Sequence, residues 1–339
     1  MLSRCQLRLR AIACGSATSR RCASTSASDA AQQLLSSFEG KTTTRRQLID
    51  GNQLQKLSLT LGRNNLHPGL NVSEDAPPNG TPLPPGYHLV YFTPNGVEAQ
   101  LGRDGTDLTY NAPAPFTRRM WAGGRMEWTA GRQLCVGDQV EERTRIKAAE
   151  PKTSRDGSGM VIVSVEKEFW NDGGLALVDQ RSWVYRPQVT GHLSEASEVT
   201  SKPLDFPSTI NDMQSENAGT TQRNLRWSPA GLFRFSALTF NGHRIHYDDA
   251  WSQLVERHPG IVVHGPLNLI NMLDFWRDTR EGKDLPGLRE ISYRATSPIY
   301  AGDRYSIRSS SGTTHGRDTE LLVEKEGRLC MKGRILDVS

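Results

Sequence analysis

Half of the histidines in this chain fall within one short segment. The chain has eight, and those in the segment are His243, His246, His258 and His264. His264 is followed by Gly265 and then by a proline, an order typical of a helix start. An imidazole can take a proton from water, and the free N–H groups at a helix start can polarise a carbonyl oxygen. Together these groups suit the addition of water across an α,β-unsaturated thioester, or the reverse elimination.

Metal and nucleophile chemistry fit the same segment less well. His243 and His246 are three residues apart, but Arg244 and Ile245 stand between them, without the glutamate of a His-Glu-x-x-His zinc motif. Gly242 disfavours a regular helix here. The chain has no G-x-S-x-G elbow, no P-loop and no G-x-G-x-x-G fingerprint. The segment therefore favours acid–base chemistry without a metal or cofactor, although histidines in loops also serve simply as hydrogen-bonding groups.

The surrounding sequence predicts the elements that would position these residues. Apolar residues at helical spacing predict helices over 36–66, 248–257 and 264–279. Alternating or β-branched segments predict strands over 125–146, 159–186 and 289–336. Residues 233–240 are expected to be extended. A segment rich in Ser, Thr, Glu and Asn, over 190–222, is typical of a linker between two domains.

The chain contains an internal repeat. Residues 126–140 align without gaps to residues 291–305, at a constant offset of 165 positions. Trp128 matches Tyr293, and each copy predicts a strand, a Gly-Asp turn and a second strand. Two hairpins can resemble each other by chance, but the apolar positions match throughout, which favours a duplication. Two copies of a helix-and-strand unit would form a pseudo-dimer.

The net charge of +4 comes from the N-terminus. Residues 1–35 contain five arginines, no lysine and one acidic residue, and the rest of the chain has 36 basic and 36 acidic residues. A neutral body lacks the basic footprint of nucleic-acid-binding proteins, and no segment approaches the roughly 18 apolar residues of a membrane span. Abundant Arg, Ser and Ala with few acids are typical of a mitochondrial transit peptide, which we expect over 1–35. Beyond it, Cys135 and Cys330 lack C-x-x-C spacing and are expected to be free thiols.

Two segments together resemble the MaoC-like, R-specific hydratase superfamily. Residues 235–248 read Phe-Ser-Ala-Leu-Thr-Phe-Asn-Gly-His-Arg-Ile-His-Tyr-Asp, and residues 262–267 read Val-Val-His-Gly-Pro-Leu. Residues 118–125, Arg-Arg-Met-Trp-Ala-Gly-Gly-Arg, are similar to the non-catalytic half of one branch. That branch contains the hydroxyacyl-thioester dehydratases type 2 and the mesaconyl-C4-CoA hydratases, and the resemblance covers about residues 40–339.

This resemblance implies an α+β double hotdog, in which two long helices are each wrapped by a curved antiparallel sheet. We accordingly expect a degenerate first hotdog over 36–190, a linker over 191–222 and a catalytic second hotdog over 223–339. His246 forms the family's His-x-Asp pattern with Asp248 and is the implied general acid–base group. The resemblance also implies that His264 is a site histidine, and that the N–H of Gly265 binds the thioester oxygen.

The resemblance leaves open which residues other than His246 take part in proton transfer. Asn241 stands where R-specific hydratases place a catalytic aspartate; it cannot act as a base, but its amide could orient a water molecule. Either His243 or Asp248 could then share the proton transfer, and Asp248 could instead cap the following helix. His243 and Arg244 are candidate substrate-binding residues, Arg244 in particular for a free substrate carboxylate.

Several further residues have a functional and a structural interpretation. Arg118, Arg119 and Arg125 could donate to phosphates of coenzyme A, or they could lie in a solvated loop. Trp121 is expected to belong to the core. His258 stands beside a Pro-Gly pair, which predicts a surface turn.

The resemblance implies a hydro-lyase that reversibly dehydrates 3-hydroxyacyl thioesters to trans-2-enoyl thioesters, in fatty-acid synthesis in the mitochondrial matrix. The expected partner is an acyl-CoA or an acyl carrier protein thioester, with no cofactor, no nucleic acid and no membrane span, and a homodimer is possible. One alternative is hydration of a branched dicarboxyl-CoA such as mesaconyl- or itaconyl-CoA. Others are a hotdog thioesterase and a non-catalytic acyl-binding protein.

Overall fold

A computed structural model describes residues 25–189, 204–214, 221–280, 287–310 and 318–337 of the chain. Its helices are α1 (Ala27–Phe38), α2 (Gly51–Thr60), α3 (Pro229–Leu238), α4 (Asp249–Leu254) and α5 (Gly265–Asp278). Its strands are β1 (Thr43–Leu48), β2 (Asn65–His67), β3 (Leu70–Asn71), β4 (Arg118–Trp128), β5 (Gln139–Thr153), β6 (Gly159–Asn171), β7 (Gly174–Arg186), β8 (Thr209–Gln214), β9 (Thr221–Arg226), β10 (Leu288–Ala295), β11 (Tyr305–Ser309), β12 (Asp318–Lys325) and β13 (Arg328–Asp337). Short 3₁₀ turns cover Tyr87–Val90, Glu98–Gln100 and Arg244–His246.

Within the described ranges, eleven strands form one antiparallel sheet, in the order β1-β5-β6-β7-β4-β10-β13-β12-β11-β9-β8. The strands β2 and β3 form a separate hairpin. In the large sheet the first half contributes β1, β4, β5, β6 and β7, and the second half contributes β9 to β13. When each set of five is numbered along the chain, both have the order 1-3-4-5-2. The halves join where β4 pairs with β10. This is the architecture of a double hotdog, as the sequence resemblance implies.

The junction between β4 and β10 reproduces the internal repeat. Met126 pairs with Ile291, and these residues are 165 positions apart, the offset found in the sequence. In a two-fold arrangement of antiparallel strands, the residue on the axis pairs with its own counterpart, so the approximate axis passes between these two residues. Gly124 is required at the junction, because a Cβ there would lie 2.7 Å from Tyr293 Oη and 2.0 Å from Gln180 O.

The sheet and α5 together form the core. In β6, the β-branched residues Val161, Val163 and Val165 alternate with less buried neighbours and are themselves fully buried, as expected for a strand with one face on the core. Ten consecutive residues of α5, 267–276, are buried, which shows that this helix is enclosed on all sides. The strands pack closely on it, since a Cβ at Gly333 would lie 2.4 Å from Met272 Sδ.

The first half is degenerate in its central helix. The starts of β1 and α2 lie 178 positions before those of β9 and α3, and the same offset places Tyr87 opposite the start of α5. A 3₁₀ turn of four buried residues, Tyr87–Val90, stands there in place of a fourteen-residue helix. Of the two long helices expected, only α5 is present among the described residues.

Two secondary-structure predictions are wrong. The segment 36–66 is not one helix but contains the end of α1, the edge strand β1 and α2, which begins where Asp50 accepts a hydrogen bond from Gln53 N. Residues 233–240 are not extended, because most of them belong to α3. That helix begins at Pro229, with Ser228 accepting from Gly231 N, a strong N-terminal signal.

Two of the segments expected to lie outside the domains contain regular secondary structure. Residues 1–24 lie outside the described residues, whereas residue 35 lies inside α1, which packs on β5 and β6 through Ala30, Ala31 and Leu34. The expected linker over 191–222 includes all of β8 and the start of β9, which extend the sheet beyond β11.

Candidate active site

Three imidazoles lie together between the two halves. The rings of His246 and His264 stack with their centroids 3.6 Å apart, and the edge of His243 faces His246 at 5.4 Å. All three side chains are buried. They come from the loop after α3 and from the residue that precedes α5, so the packing of α5 brings them together.

The orientation of His246 is set by the backbone. His246 ends the 3₁₀ turn Arg244–His246, and its Nδ1–H donates to the carbonyl oxygen of Val262 at 2.8 Å. Val262 N donates in turn to Ile245 O at 2.8 Å, which ties the turn to the strand-like segment before α5. Because a carbonyl can only accept, the hydrogen bond assigns the proton to Nδ1. The ring nitrogen Nε2 is therefore left with a free lone pair.

Burial keeps these imidazoles neutral. It is the main reason that the pKa of His246 lies at about 4; the hydrogen bond to Val262 opposes this shift, and the charge of Arg119 adds to it. Burial also lowers the pKa values of His243 and His264 well below the usual 6.5. A neutral imidazole with a free nitrogen is competent to accept a proton near neutral pH.

The start of α5 provides a site for a carbonyl oxygen. His264 is its N-cap, and its Nε2 lies 2.9 Å from Ser236 Oγ on α3. Gly265 is the first helical residue, and the first N–H groups of a helix have no acceptor within the helix. Only glycine fits here, because a Cβ would lie 2.9 Å from Cδ1 of Trp121. The fourteen-residue helix α5 therefore presents donors and a partial positive charge beside the histidines.

A cavity of about 580 Å³ contains this site. Of the predicted site residues, it is lined by Asn241, His243, His246, His264 and Gly265. Asn241 Oδ1 accepts from His243 N at 3.1 Å, which leaves its amide NH₂ group without a partner within the described part of the chain. His258 also lines the cavity and is half-buried, so the prediction of a surface turn residue is wrong.

Asp248 and Arg244 are not brought into the cavity. Asp248 Oδ1 accepts from Trp251 N at 2.9 Å and caps α4. Its Oδ2 accepts from Arg244 Nη2 at 2.6 Å, and the Arg244 guanidinium lies over the Trp251 ring at 4.1 Å. The geometry thus supports the capping interpretation of Asp248, and it gives Arg244 a partner other than substrate.

The first half supplies a loop that the sequence did not single out. Asp104 Oδ2 lies 3.6 Å from His243 Nε2, and Asp104 O accepts from Arg244 N at 2.8 Å. A Cβ at Gly105 would lie 2.0 Å from Gly242 O, so glycine is required where the loop meets the histidine segment. Asp-Gly-Thr at 104–106 is a turn signal, but nothing in the sequence indicates what that turn packs against.

The three candidate phosphate-binding arginines of β4 have different surroundings. Arg118 Nε donates to Glu256 Oε2 at 2.5 Å, and Arg125 Nε lies 2.7 Å from Glu290 Oε1. Neither lines the cavity, whereas Arg119 does. Trp121 packs against the core, as predicted, and also lines the cavity.

Within the described ranges, the histidines, cysteines and acidic residues form no group of three or more arranged to hold a metal ion. None of the helices in those ranges has the length and apolar character needed to cross a membrane.

Comparison with known proteins identifies relatives of this chain. A family model described as hydroxyacyl-thioester dehydratase type 2 matches residues 86–301. The chain is 31% identical over 233 residues to the mesaconyl-C(4)-CoA hydratase of Chloroflexus aurantiacus, which covers 68% of this chain and 76% of that protein. It is 24% identical over 250 residues to the mitochondrial hydroxyacyl-thioester dehydratase type 2 of Schizosaccharomyces pombe, covering 67% and 77% of the two chains.

Solved structures agree with the fold. A MaoC-like dehydratase from Phytophthora capsici superposes with a TM-score of 0.58 at 12% identity, over 91% of this chain and 99% of that one. A Mycobacterium tuberculosis protein described as having a double hotdog fold gives 0.51 at 12% identity, over 88% and 96% of the two chains. At these identities the likeness concerns the fold alone.

Proposed function

The chain belongs to the hydroxyacyl-thioester dehydratase type 2 family, and we propose that it interconverts 3-hydroxyacyl and trans-2-enoyl thioesters by eliminating or adding water. The family and the relatives named as hydratases and dehydratases support an enzyme of the hydro-lyase class. The observation that carries the assignment to this cavity is the free, neutral Nε2 of His246 beside the N-terminus of α5.

The geometry supports a two-stage hydration. Nε2 of His246 accepts a proton from water as the water oxygen bonds to C3 of the enoyl group. The electron pair of the C2–C3 double bond moves onto the thioester oxygen, which accepts a hydrogen bond from Gly265 N–H. The imidazolium then returns its proton to C2, and dehydration is the same sequence in reverse. The amide of Asn241 would orient the water, because it can donate or accept but cannot take a proton.

The proposed biological setting draws on one relative and on the N-terminal composition. We place the enzyme in the mitochondrial matrix, acting in fatty-acid synthesis on a thioester of acyl carrier protein or coenzyme A. Two observations support this setting: the Schizosaccharomyces pombe relative is named as mitochondrial, and residues 1–35 have the composition of a transit peptide.

Substitutions at His246 test the assignment. Asn places an amide where Nδ1 stands and keeps the donor to Val262, but it removes the atom at Nε2. We expect His246→Asn to lower kcat by about 10²–10⁴-fold, the range of general acid–base catalysis. His67→Gln is the matched control, since His67 is half-buried, binds Pro82 O through Nε2 and lies outside the cavity.

The assay follows loss of enoyl absorbance with crotonyl-CoA, a medium-chain enoyl thioester and mesaconyl-CoA. Turnover of linear substrates that His246→Asn abolishes and His67→Gln retains would support the proposal. Turnover of mesaconyl-CoA alone would contradict the fatty-acid role. No turnover of any of the three would contradict the hydro-lyase assignment and favour an acyl-binding protein.

A further inference from the structure

The cavity is lined by five cationic residues and by two acidic ones, Asp107 and Glu142. The cations that line it are Arg45, Arg119, Lys167, Arg181 and Arg186. Two of these have buried acidic partners: Lys167 Nζ donates to Glu142 Oε1 at 3.0 Å, and Arg181 Nη2 lies 2.6 Å from Asp179 Oδ2. The three other arginines have no carboxylate within ion-pair distance among the residues that the structure describes.

Arg119 is the unpaired arginine nearest to the proposed chemistry. It lies on β4 two residues before Trp121, so the two side chains share one face of the strand and their α-carbons are about 7 Å apart. Trp121 packs beside Gly265, where a Cβ would lie 2.9 Å from Trp121 Cδ1. The charge of Arg119 also contributes to the lowered pKa values of His243 and His246. Its guanidinium therefore faces the same enclosed space as the histidines.

The contacts that hold Arg119 leave its charge uncompensated. Nη1 donates to the backbone oxygen of Asp107 at 3.1 Å, and the guanidinium lies 5.8 Å from the centre of the Trp183 ring. The Arg119 side chain also forms a hydrogen bond with the side chain of Tyr185. A carbonyl, a neutral hydroxyl and an aromatic face orient a guanidinium but do not neutralise it. Arg118 and Arg125 on the same strand have carboxylate partners outside the cavity. Thus, of the three, only the arginine that faces the cavity lacks one.

We propose that Arg119 binds an anionic oxygen group of the substrate thioester. This inference rests on the proposed function, since it assigns the ligand to the same cavity. A guanidinium can hold two oxygens of a carboxylate or a phosphate in a bidentate pair. Such a group could be a carboxylate on the acyl chain or a phosphate on the pantetheine carrier. The half of the chain without the catalytic motif would then contribute directly to substrate selection.

The test separates these two sources with four substrates and the full chain. Crotonyl-CoA carries phosphate only, mesaconyl-CoA carries phosphate and carboxylate, the mesaconyl N-acetylcysteamine thioester carries carboxylate only, and the crotonyl N-acetylcysteamine thioester carries neither. We expect Arg119→Gln to raise KM by about 10- to 100-fold for the substrates whose anion it binds, as for loss of a charge-assisted hydrogen-bonded pair. Where a mesaconyl thioester is not turned over, its Ki against the crotonyl thioester replaces KM.

The pattern of effects decides the proposal. A rise for both CoA thioesters alone would assign the phosphate, and a rise for both mesaconyl thioesters alone would assign the carboxylate. An equal change for all four, or no change, would overturn the proposal. Arg125→Gln is the matched control, because Arg125 lies on β4 outside the cavity, and we expect it to leave all four values unchanged. Arg119→Lys keeps the charge without the two-pronged geometry and should give a smaller rise of the same pattern.

Failure of the proposed function would look different. The wild-type chain would then turn over none of the four thioesters. In that case, Kd values would be measured by calorimetry for butyryl-CoA, methylsuccinyl-CoA and their N-acetylcysteamine counterparts. These ligands differ in phosphate and carboxylate in the same way as the four substrates, but they require no reaction. An Arg119→Gln effect confined to the phosphate- or carboxylate-bearing ligands would support the anion subsite, and equal affinities for wild type and variant would overturn it.

Discussion

Burial of His246 should make the stability of this protein depend on pH in a specific way. The ring is buried, its Nδ1–H donates to Val262 O, and burial is the main reason that its pKa lies at about 4. In the unfolded chain the same ring regains the ordinary value of 6.5. Between these values the unfolded chain binds the proton and the folded protein does not. Stability contributed by the neutral ring is therefore lost as the pH falls below 6.5 towards 4.

The size of the effect follows from the two pKa values. Between pH 7.5 and pH 5, the linkage relation gives a loss of about 2 kcal/mol in the free energy of unfolding from His246 alone. The whole difference is worth about 3 kcal/mol and is reached below pH 4. Asparagine does not titrate, so His246→Asn should lack this contribution. Wild type should lose about 2 kcal/mol more than the variant over the same interval.

Urea unfolding measures this difference, with tryptophan fluorescence as the signal, at pH 7.5, 6.5, 5.75 and 5. The comparison of wild type with variant cancels the titration of groups remote from His246. The pKa values of His243 and His264 are also lowered by the charge of His246, so its replacement shifts their titration in the direction that adds to the expected difference. Val163→Ala is the matched control: Val163 is fully buried and does not titrate, so this variant should be less stable at every pH yet keep the wild-type slope. Equal losses for wild type and His246→Asn would refute the argument that burial holds this imidazole neutral.

Two further predictions concern Gly265, at the start of α5, and Asp179, in the first half of the chain. In Gly265→Ala the added methyl group would collide with Trp121 and push the N–H of residue 265 away from the thioester oxygen. We expect kcat to fall by about 10²–10³-fold through loss of this donor. We also expect the free energy of unfolding to fall by about 1–3 kcal/mol. Gly159→Ala, where the added methyl meets Ala27 Cβ at 3.5 Å, should change neither; wild-type kcat in Gly265→Ala would exclude the donor role. Asp179→Ala should cost about 3–5 kcal/mol in urea unfolding, because it leaves the half-buried Arg181 and the buried His88 without their shared carboxylate partner. A loss below 1 kcal/mol would show that the Arg181 charge is hydrated.

Several features of the fold could be predicted from the sequence because they rest on local or periodic patterns. The apolar face after His264 predicts α5, and the structure places a helix at Gly265–Asp278. The 165-residue offset predicts a duplication, and the pairing of Met126 with Ile291 agrees with it. The predictions that failed passed over local signals as well as tertiary contacts. In 36–66, Gly40 and the three threonines at 42–44 interrupt the helical composition, and residues 43–48 pair with β5 as an edge strand. The start of α3 is marked by Ser228 and Pro229.

The same division holds at the site. By itself, the sequence determined which residue types are available: the clustered histidines, the helix start at Gly265 and the absence of an aspartate at Asn241. Spacing along the chain also allowed Asp248 and Arg244 to belong to the site, because residues close in sequence can share it.

Only the tertiary structure decided between such possibilities. It pairs Asp248 with Arg244 outside the cavity, and it brings Asp104 and Arg119 to the histidines from more than a hundred residues away. The physical reason is that the protonation state of a buried group, and the ligand it can bind, depend on the charges and dipoles packed around it. Whether an arginine is neutralised by a neighbour or left facing a cavity depends on which strands pack together, and no local pattern encodes that.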